Sequence, residues 1–232
     1  MFHFFRRSAC AALALSLASL AAAPAAAQQA SGSYLAGRQA MIESDYSAAA
    51  EYFTRALMRD TANPALLENV VFAQLALGRL DRAVPVAQQI RSLGLSSQVG
   101  HLALAAGQAQ AGDYDALIAR DTEALAISPL VDGLLTGWAH MGAGSVSQAL
   151  AEFDALAEEK GLRGFALYHR ALALASVGDF EGAEEMFAAD GGQLAMVSRR
   201  AVIARTEVLS QLGRNGEALQ VLQAAFGGRR IV

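Results

Sequence analysis

Apolar residues recur along this chain at intervals of three and four, the spacing that lays an apolar stripe along one face of an α-helix. Short turns interrupt the stripes in step: Ser44, Gly78, Gly112, Gly144, Gly178 and Gly213 each lie five residues before Ala49, Ala83, Leu117, Ala149, Ala183 and Ala218. Successive turn residues are 34, 34, 32, 34 and 35 positions apart. A repeat of that length, helical on both sides of each turn, predicts stacked pairs of antiparallel helices: an all-α solenoid in place of a single globular core.

Counting each repeat so that its turn residue is position 15 aligns six units beginning near Ala30, Pro64, Gln98, Leu130, Gly164 and Arg199. Their expected spans are 30–63, 64–97, 98–129, 130–163, 164–198 and 199–232. Position 8 holds small or modest residues (Gly37, Val71, Ala105, Gly137, Ala171, Thr206), and position 20 is alanine except at Leu117. Position 24 carries the larger Phe53, Phe153, Phe187 and Leu222. Small side chains at the first two columns let paired helices approach, and large ones at the third fill the space between units. At position 18, Ser47, Asp81, Asp115 and Ser147 offer side-chain oxygens expected to cap the second helices. Pro129 and Gly161 are expected to close second helices, and Asn63-Pro64 to end one unit and open the next. Pro85 is expected in the first turn of its helix, where it costs at most about one hydrogen bond.

These residues together resemble a tetratricopeptide repeat protein. The stretch from Gly37 to Asp60, GRQAMIESDYSAAAEYFTRALMRD, carries the small residue, the turn followed by Asp-Tyr, then Ala, Phe and Ala in that family's order. The third unit repeats it from Gly112-Asp113-Tyr114 through Ala124 to Pro129, and the fifth from Gly178-Asp179-Phe180 through Ala183 and Phe187. The resemblance runs from about Ser31 to Phe226. It departs at Leu117 and Asp121 in the third unit and at Asp190 in the fifth, where Gly191-Gly192 follows. The fifth-to-sixth junction is therefore expected to be the most irregular one.

The resemblance implies a right-handed superhelical solenoid of about six helix pairs that binds other proteins, of the bacterial exported type. In that family, positions 2, 5, 9 and 12 of the first helices line the concave face. Carried onto this sequence, the face holds Tyr34, Arg38 and Met41, then Glu68, Phe72 and Leu75, then Val99, Leu102 and Ala106. Val131, Leu134, Trp138 and Met141 follow, and then Phe165, Tyr168 and Leu172. The Lys, Arg and Asn set with which some members clamp a C-terminal carboxylate is absent from these columns. The implied groove is mostly apolar and aromatic, suited to a peptide or helix with apolar anchors. Trp138 has a second reading as a core residue, because a two-residue shift of register turns it inward.

The first residues change the picture of where the chain works. Arg6 and Arg7 precede the uncharged run from Ala11 to Ala23, and Ala25 to Ala27 supply small residues for a signal peptidase. Cleavage is expected after Ala27, giving a signal peptide over 1–27 and a repeat domain over 28–232, periplasmic or secreted, with no stable membrane insertion thereafter. An uncleaved anchor is the alternative. Cys10 is the only cysteine, and it precedes the apolar run rather than closing it, which argues against lipid anchoring. Losing Arg6 and Arg7 moves the formal charge from −4 to −6. No basic tract supports nucleic-acid binding, and the arginines are spread over all six repeats.

No catalytic signature accompanies the repeats. His101, His140 and His169 lack metal-ligand spacing, and no nucleophile elbow or phosphate loop is present. Glu158-Glu159 and Glu181, Glu184 and Glu185 read as solvated helix faces. No enzyme activity, cofactor or metal is expected. The last second helix, near Asn215 to Phe226, carries Leu219, Leu222 and Phe226 with no following polar helix, so self-association is expected there. The leading expectation is an envelope scaffold binding a protein segment. An N-terminal accessory region of a longer envelope enzyme or export machine is an alternative, and a self-assembling oligomer another.

Overall fold

A computed structural model describes residues 31–189 and 199–227. The signal segment and the junction at Asp190 to Gly192 lie outside them. Helices run over residues 31–42 (α1), Tyr46–Leu57 (α2), Pro64–Ala76 (α3), Leu80–Ser92 (α4) and Gln98–Ala111 (α5). They continue as Tyr114–Ile118 (α6), Pro129–Gly142 (α7), Val146–Glu158 (α8), Arg163–Ser176 (α9) and Phe180–Ala189 (α10). Arg199–Gln211 (α11) and Asn215–Phe226 (α12) complete the set. Described residues form two compact units divided between Gly107 and Gln108. Helices in each unit pack on their neighbours in chain order, the arrangement of a solenoid of helix pairs.

The recurring turn has a single physical basis. All six turn residues have left-handed backbones, from φ 59° at Ser44 to φ 86° at Gly178. At Gly178, its own N–H donates to Ala175 O at 3.1 Å and the N–H of Asp179 donates to Leu174 O at 3.0 Å. That pair of bonds closes a first helix in a Schellman motif, and glycine enters it without steric cost. The same two bonds recur at Ser44 despite its side chain: its N–H donates to Met41 O at 3.1 Å and the Asp45 N–H to Ala40 O at 2.9 Å.

The next residue opens the second helix at once. Asp45 accepts from the Ala48 N–H at 2.9 Å, Asp113 from Ala116 at 3.2 Å and Asp179 from Gly182 at 2.9 Å. The expected caps Ser47, Asp81, Asp115 and Ser147 instead sit at the second helical residue, two positions too late to cap. Asp81 and Asp115 there favour the positive helix end by charge alone. Pro85 lies in the second turn of α4, one turn later than expected, and the helix continues through it. Asn63 caps α3 with Pro64 in its first turn, and Gly161 turns the chain after α8 at φ 85°.

The packing columns follow the sequence pattern. Every position-20 side chain is at most 4% exposed. Phe53, Phe153 and Phe187 are fully or nearly buried. A Cβ added to Gly37 would lie 2.8 Å from the Phe53 ring, and one added to Gly137 would clash with Phe153. The second repeat reverses the sizes, with Val71 buried in the same cluster as Ala87. In the first, second and fourth repeats positions 8 and 24 therefore share one volume, divided differently between them.

The third repeat breaks the pattern. Its second helix, α6, has only five residues, and 119–128 follow as turns and irregular chain. Asp121 explains the stop: its Oδ1 accepts from the N–H groups of Glu123 and Ala124, both at 3.0 Å, an alternative to continuing the helix. The expected helix through Ala124 is therefore absent, and Pro129 does not close it. Pro129 opens α7 behind the Ser128 cap. The segment is held down by Arg120, whose side chain is 5% exposed and reaches Asp132 Oδ1 at 2.5 Å and Leu125 O at 2.7 Å. Asp132 Oδ2 accepts in turn from the Ile127 N–H at 3.0 Å.

Candidate partner-binding surfaces

In the first unit the expected first-helix residues divide into supports and exposed anchors. Tyr34 lies half-buried with its ring 6.1 Å from that of Phe53, and its hydroxyl accepts from Arg38 Nη1 at 3.3 Å. Met41 packs on the first core cluster, and Leu75 and Val99 on the next. Glu68 and Ala106 are half-buried. Phe72 and Leu102 instead stay 45% and 38% exposed. Tyr46, at the start of α2, meets the Phe72 ring edge to face at 6.2 Å and steadies it.

In the second unit the same columns mostly build the seam between helices. Leu134, Trp138 and Met141 pack against Ala149, Phe153 and Ala173, while Val131 and Leu172 are half-buried. Trp138 Nε1–H donates to His169 Nδ1 at 3.0 Å, and its ring stands 5.8 Å from Phe153 and 6.0 Å from His169. The indole is thus half-buried and hydrogen-bonded within the protein. Burial also lowers the His169 pKa, and an acceptor Nδ1 puts the proton of the neutral ring on Nε2. Tyr168 is half-buried, edge-on to His169 at 5.2 Å. Phe165 remains 42% exposed.

Ile203 on α11 is 49% exposed and occupies position 5 of the sixth repeat, the column of Leu102. Counting positions on into the sixth repeat reaches Ile203 directly. At the final helix, Leu219 is 54% exposed, whereas Leu222 and Phe226 are half-buried. The Arg199 guanidinium lies 5.2 Å over the Phe226 ring.

Polar contacts also sort differently from the expectation. Glu184, expected on a solvated face, is 5% exposed and takes Arg205 in a bidentate pair, with Nη2 at 2.7 Å from Oε1 and Nε at 3.1 Å from Oε2. The pair joins α10 to α11 across 21 residues of sequence, a separation that helical spacing does not reveal. His101 is buried and His140 half-buried. Among the described residues no group of three histidine, cysteine or acidic side chains could hold a metal ion. No helix among them is long and apolar enough to cross a membrane.

With the helix pairs and their shared volumes established, residues 40–107 match the tetratricopeptide repeat family. The fold is similar to a tetratricopeptide repeat protein from Parabacteroides merdae solved by crystallography, with a TM-score of 0.66 at 20% identity over 88% of this chain and 81% of that one. The MamA protein is also similar, at 14% identity over 86% of this chain and 91% of its own, but its TM-score of 0.40 adds nothing to the fold comparison. No curated protein matches the chain in sequence. The family match is confined to residues 40–107, and the fold likeness extends the helix-pair arrangement beyond them.

Proposed function

We propose that this chain is a non-enzymatic protein-interaction scaffold that binds apolar segments of a partner through the first helices of its repeats, each of its two units by itself. The observation that carries this reading is the exposure of Phe72, Leu102 and Phe165, between 38% and 45%, at first-helix positions whose neighbours are packed. Each large side chain buried by a partner contributes about 1.5–3 kcal/mol, and a few such anchors account for most of the affinity of a helix-in-groove or extended-peptide contact. The setting is the cell envelope, periplasmic or secreted, reached through the segment ending at Ala27. Its sequence carries the reading: Arg6-Arg7, the run Ala11 to Ala23, and the small residues before Gln28.

The test is a crosslinked pull-down from the native envelope with the wild-type chain and a Phe72→Ala/Leu102→Ala/Phe165→Ala variant of equal helicity. Trp138 and Tyr168 are left intact because both are built into the seam around His169. Partner recovery is expected to fall at least about tenfold with the variant. Equal recovery would overturn the reading.

A further inference from the structure

A cleft of about 640 Å³ opens in the first unit among α2, α3 and α4. It draws on Val70 and Gln74 of α3, which lie about 200° of helical rotation from Phe72 and so belong to a different face. Its volume falls in the range of ligand sites.

Arg55 of α2 joins Arg79 and Arg82 at the start of α4 here. Arg55, Arg79 and Arg82 line the cleft with Glu51 as their acidic neighbour. Glu51 pairs with Arg55. The side chains of Arg79 and Arg82 have no ion-pair or hydrogen-bond partner among the described residues. Arg79 also opens α4 without a side-chain cap bond; Asp81 in the first turn answers the positive end of that helix, so the field of the cleft rests on the guanidinium groups.

Gln74 is the second, independent feature. It lines the cleft, is 6% exposed, and its Oε1 has no hydrogen-bond partner among the described residues. A buried amide left unsatisfied costs about 1–3 kcal/mol, so a free-standing role in the core does not account for it. Leu57, Val70 and Val86 supply apolar wall beside these polar groups.

We propose that this cleft is a second binding site, specific for an acidic peptide segment of a partner protein. The guanidinium groups require an anion, the Gln74 oxygen requires a hydrogen-bond donor, and the wall requires an aliphatic group. Inorganic phosphate, which keeps a P–OH donor at neutral pH, lacks the aliphatic part. A peptide carrying Asp or Glu beside Leu, Val or Ile provides a carboxylate, a backbone N–H and an aliphatic side chain at once. Its carboxylate bonds to Arg79 and Arg82 as charge-assisted pairs, and its backbone amide bonds to Gln74.

The experiment is selection of a phage-displayed random heptapeptide library on the full chain, followed by fluorescence anisotropy of the enriched peptides. Enriched sequences are expected to combine acidic with aliphatic residues and to bind roughly tenfold more weakly to an Arg79→Gln/Arg82→Gln variant of unchanged helicity. Phe72→Ala is expected to leave their affinity unchanged, which separates this site from the apolar face. Gln74→Leu removes the unsatisfied oxygen and is expected to raise Tm while lowering peptide affinity. Absence of enrichment, enrichment of neutral or basic sequences only, or affinity indifferent to both the arginine and Gln74 variants would overturn the proposal. Displacement by inorganic phosphate at concentrations matching the peptide's would also overturn it, assigning the cleft to that ion.

Discussion

Gly137 and Phe153 show how a single atom sets the geometry of a repeat. The ring occupies the space where a side chain at 137 would stand, so Gly137→Ala forces a shift in a close-packed seam. Overpacking of this kind costs about 1–3 kcal/mol, and Gly137→Ala is expected to lower stability in urea melts by that amount. Adding Phe153→Leu is expected to recover part of the loss, whereas an equally large loss in the double variant would show that Phe153 is not the obstacle. His169 governs the same seam through charge. Its folded pKa lies below the ordinary value of 6.5, so above pH 6.5 the ring is neutral in folded and unfolded chains alike. As pH falls below that value the unfolded chain takes up a proton that the folded seam resists, and stability is lost until the folded ring also titrates. Tm is therefore expected to fall on acidification, with a change in the emission of Trp138, the only tryptophan. His169→Asn keeps an acceptor for the indole and is expected to remove that component of the acid loss. An unchanged pH profile would assign the loss to other groups.

At the scale of elements, the turn and the cap act as one device. A left-handed residue finishes the first helix, and the next residue begins the second, capped by an aspartate in the first, third and fifth repeats, which leaves no linker between them. Five of the six turn positions were legible because glycine at a fixed period has few other uses, and Ser44 followed from the same step. The cap positions were misread by two residues because serine and aspartate are equally common within a first turn, and only the backbone distinguishes the two places. The third repeat shows a different limit. Leu117, Asp121 and a 32-residue step marked it as unusual, yet the end of α6 depends on side-chain bonds from Asp121 and on the buried pair of Arg120 with Asp132. Removing one partner, as in Arg120→Ala, is expected to cost about 3–5 kcal/mol by leaving the other charge buried. Arg120→Met/Asp132→Leu is expected to be milder than either single change, though not neutral, because the Ile127 N–H loses its acceptor. Chemical denaturation of all three variants checks the order, and equal losses would show that the pair is not a coupled unit.

At the scale of the whole molecule, stability in a solenoid is approximately a sum over repeats and their interfaces, so no single core carries it. Volume divided between positions 8 and 24, and the bidentate Glu184–Arg205 pair between α10 and α11, are two such local terms. The proposed export adds a further constraint. Once residues 1–27 are removed the chain has no cysteine, so packing and ion pairs have to suffice in an oxidising compartment. Protein recovered from the envelope fraction is expected to begin at Gln28 by intact mass, with a Tm indifferent to reductant. A mass including Met1 would point to the retained anchor instead.

By itself the sequence determined the repeat, its six turns and the columns of small and large residues, because helical spacing and left-handed glycine are local properties written at fixed intervals. It also supplied the apolar first-helix positions from which Phe72, Leu102 and Phe165 emerge. Only the tertiary structure decided which of those side chains remain exposed and which, like Trp138, are consumed by the seam. It alone brought Arg55 of α2 beside Gln74, Arg79 and Arg82, and Arg120 to Asp132, since burial and charge pairing depend on distances between helices that no period along the chain encodes.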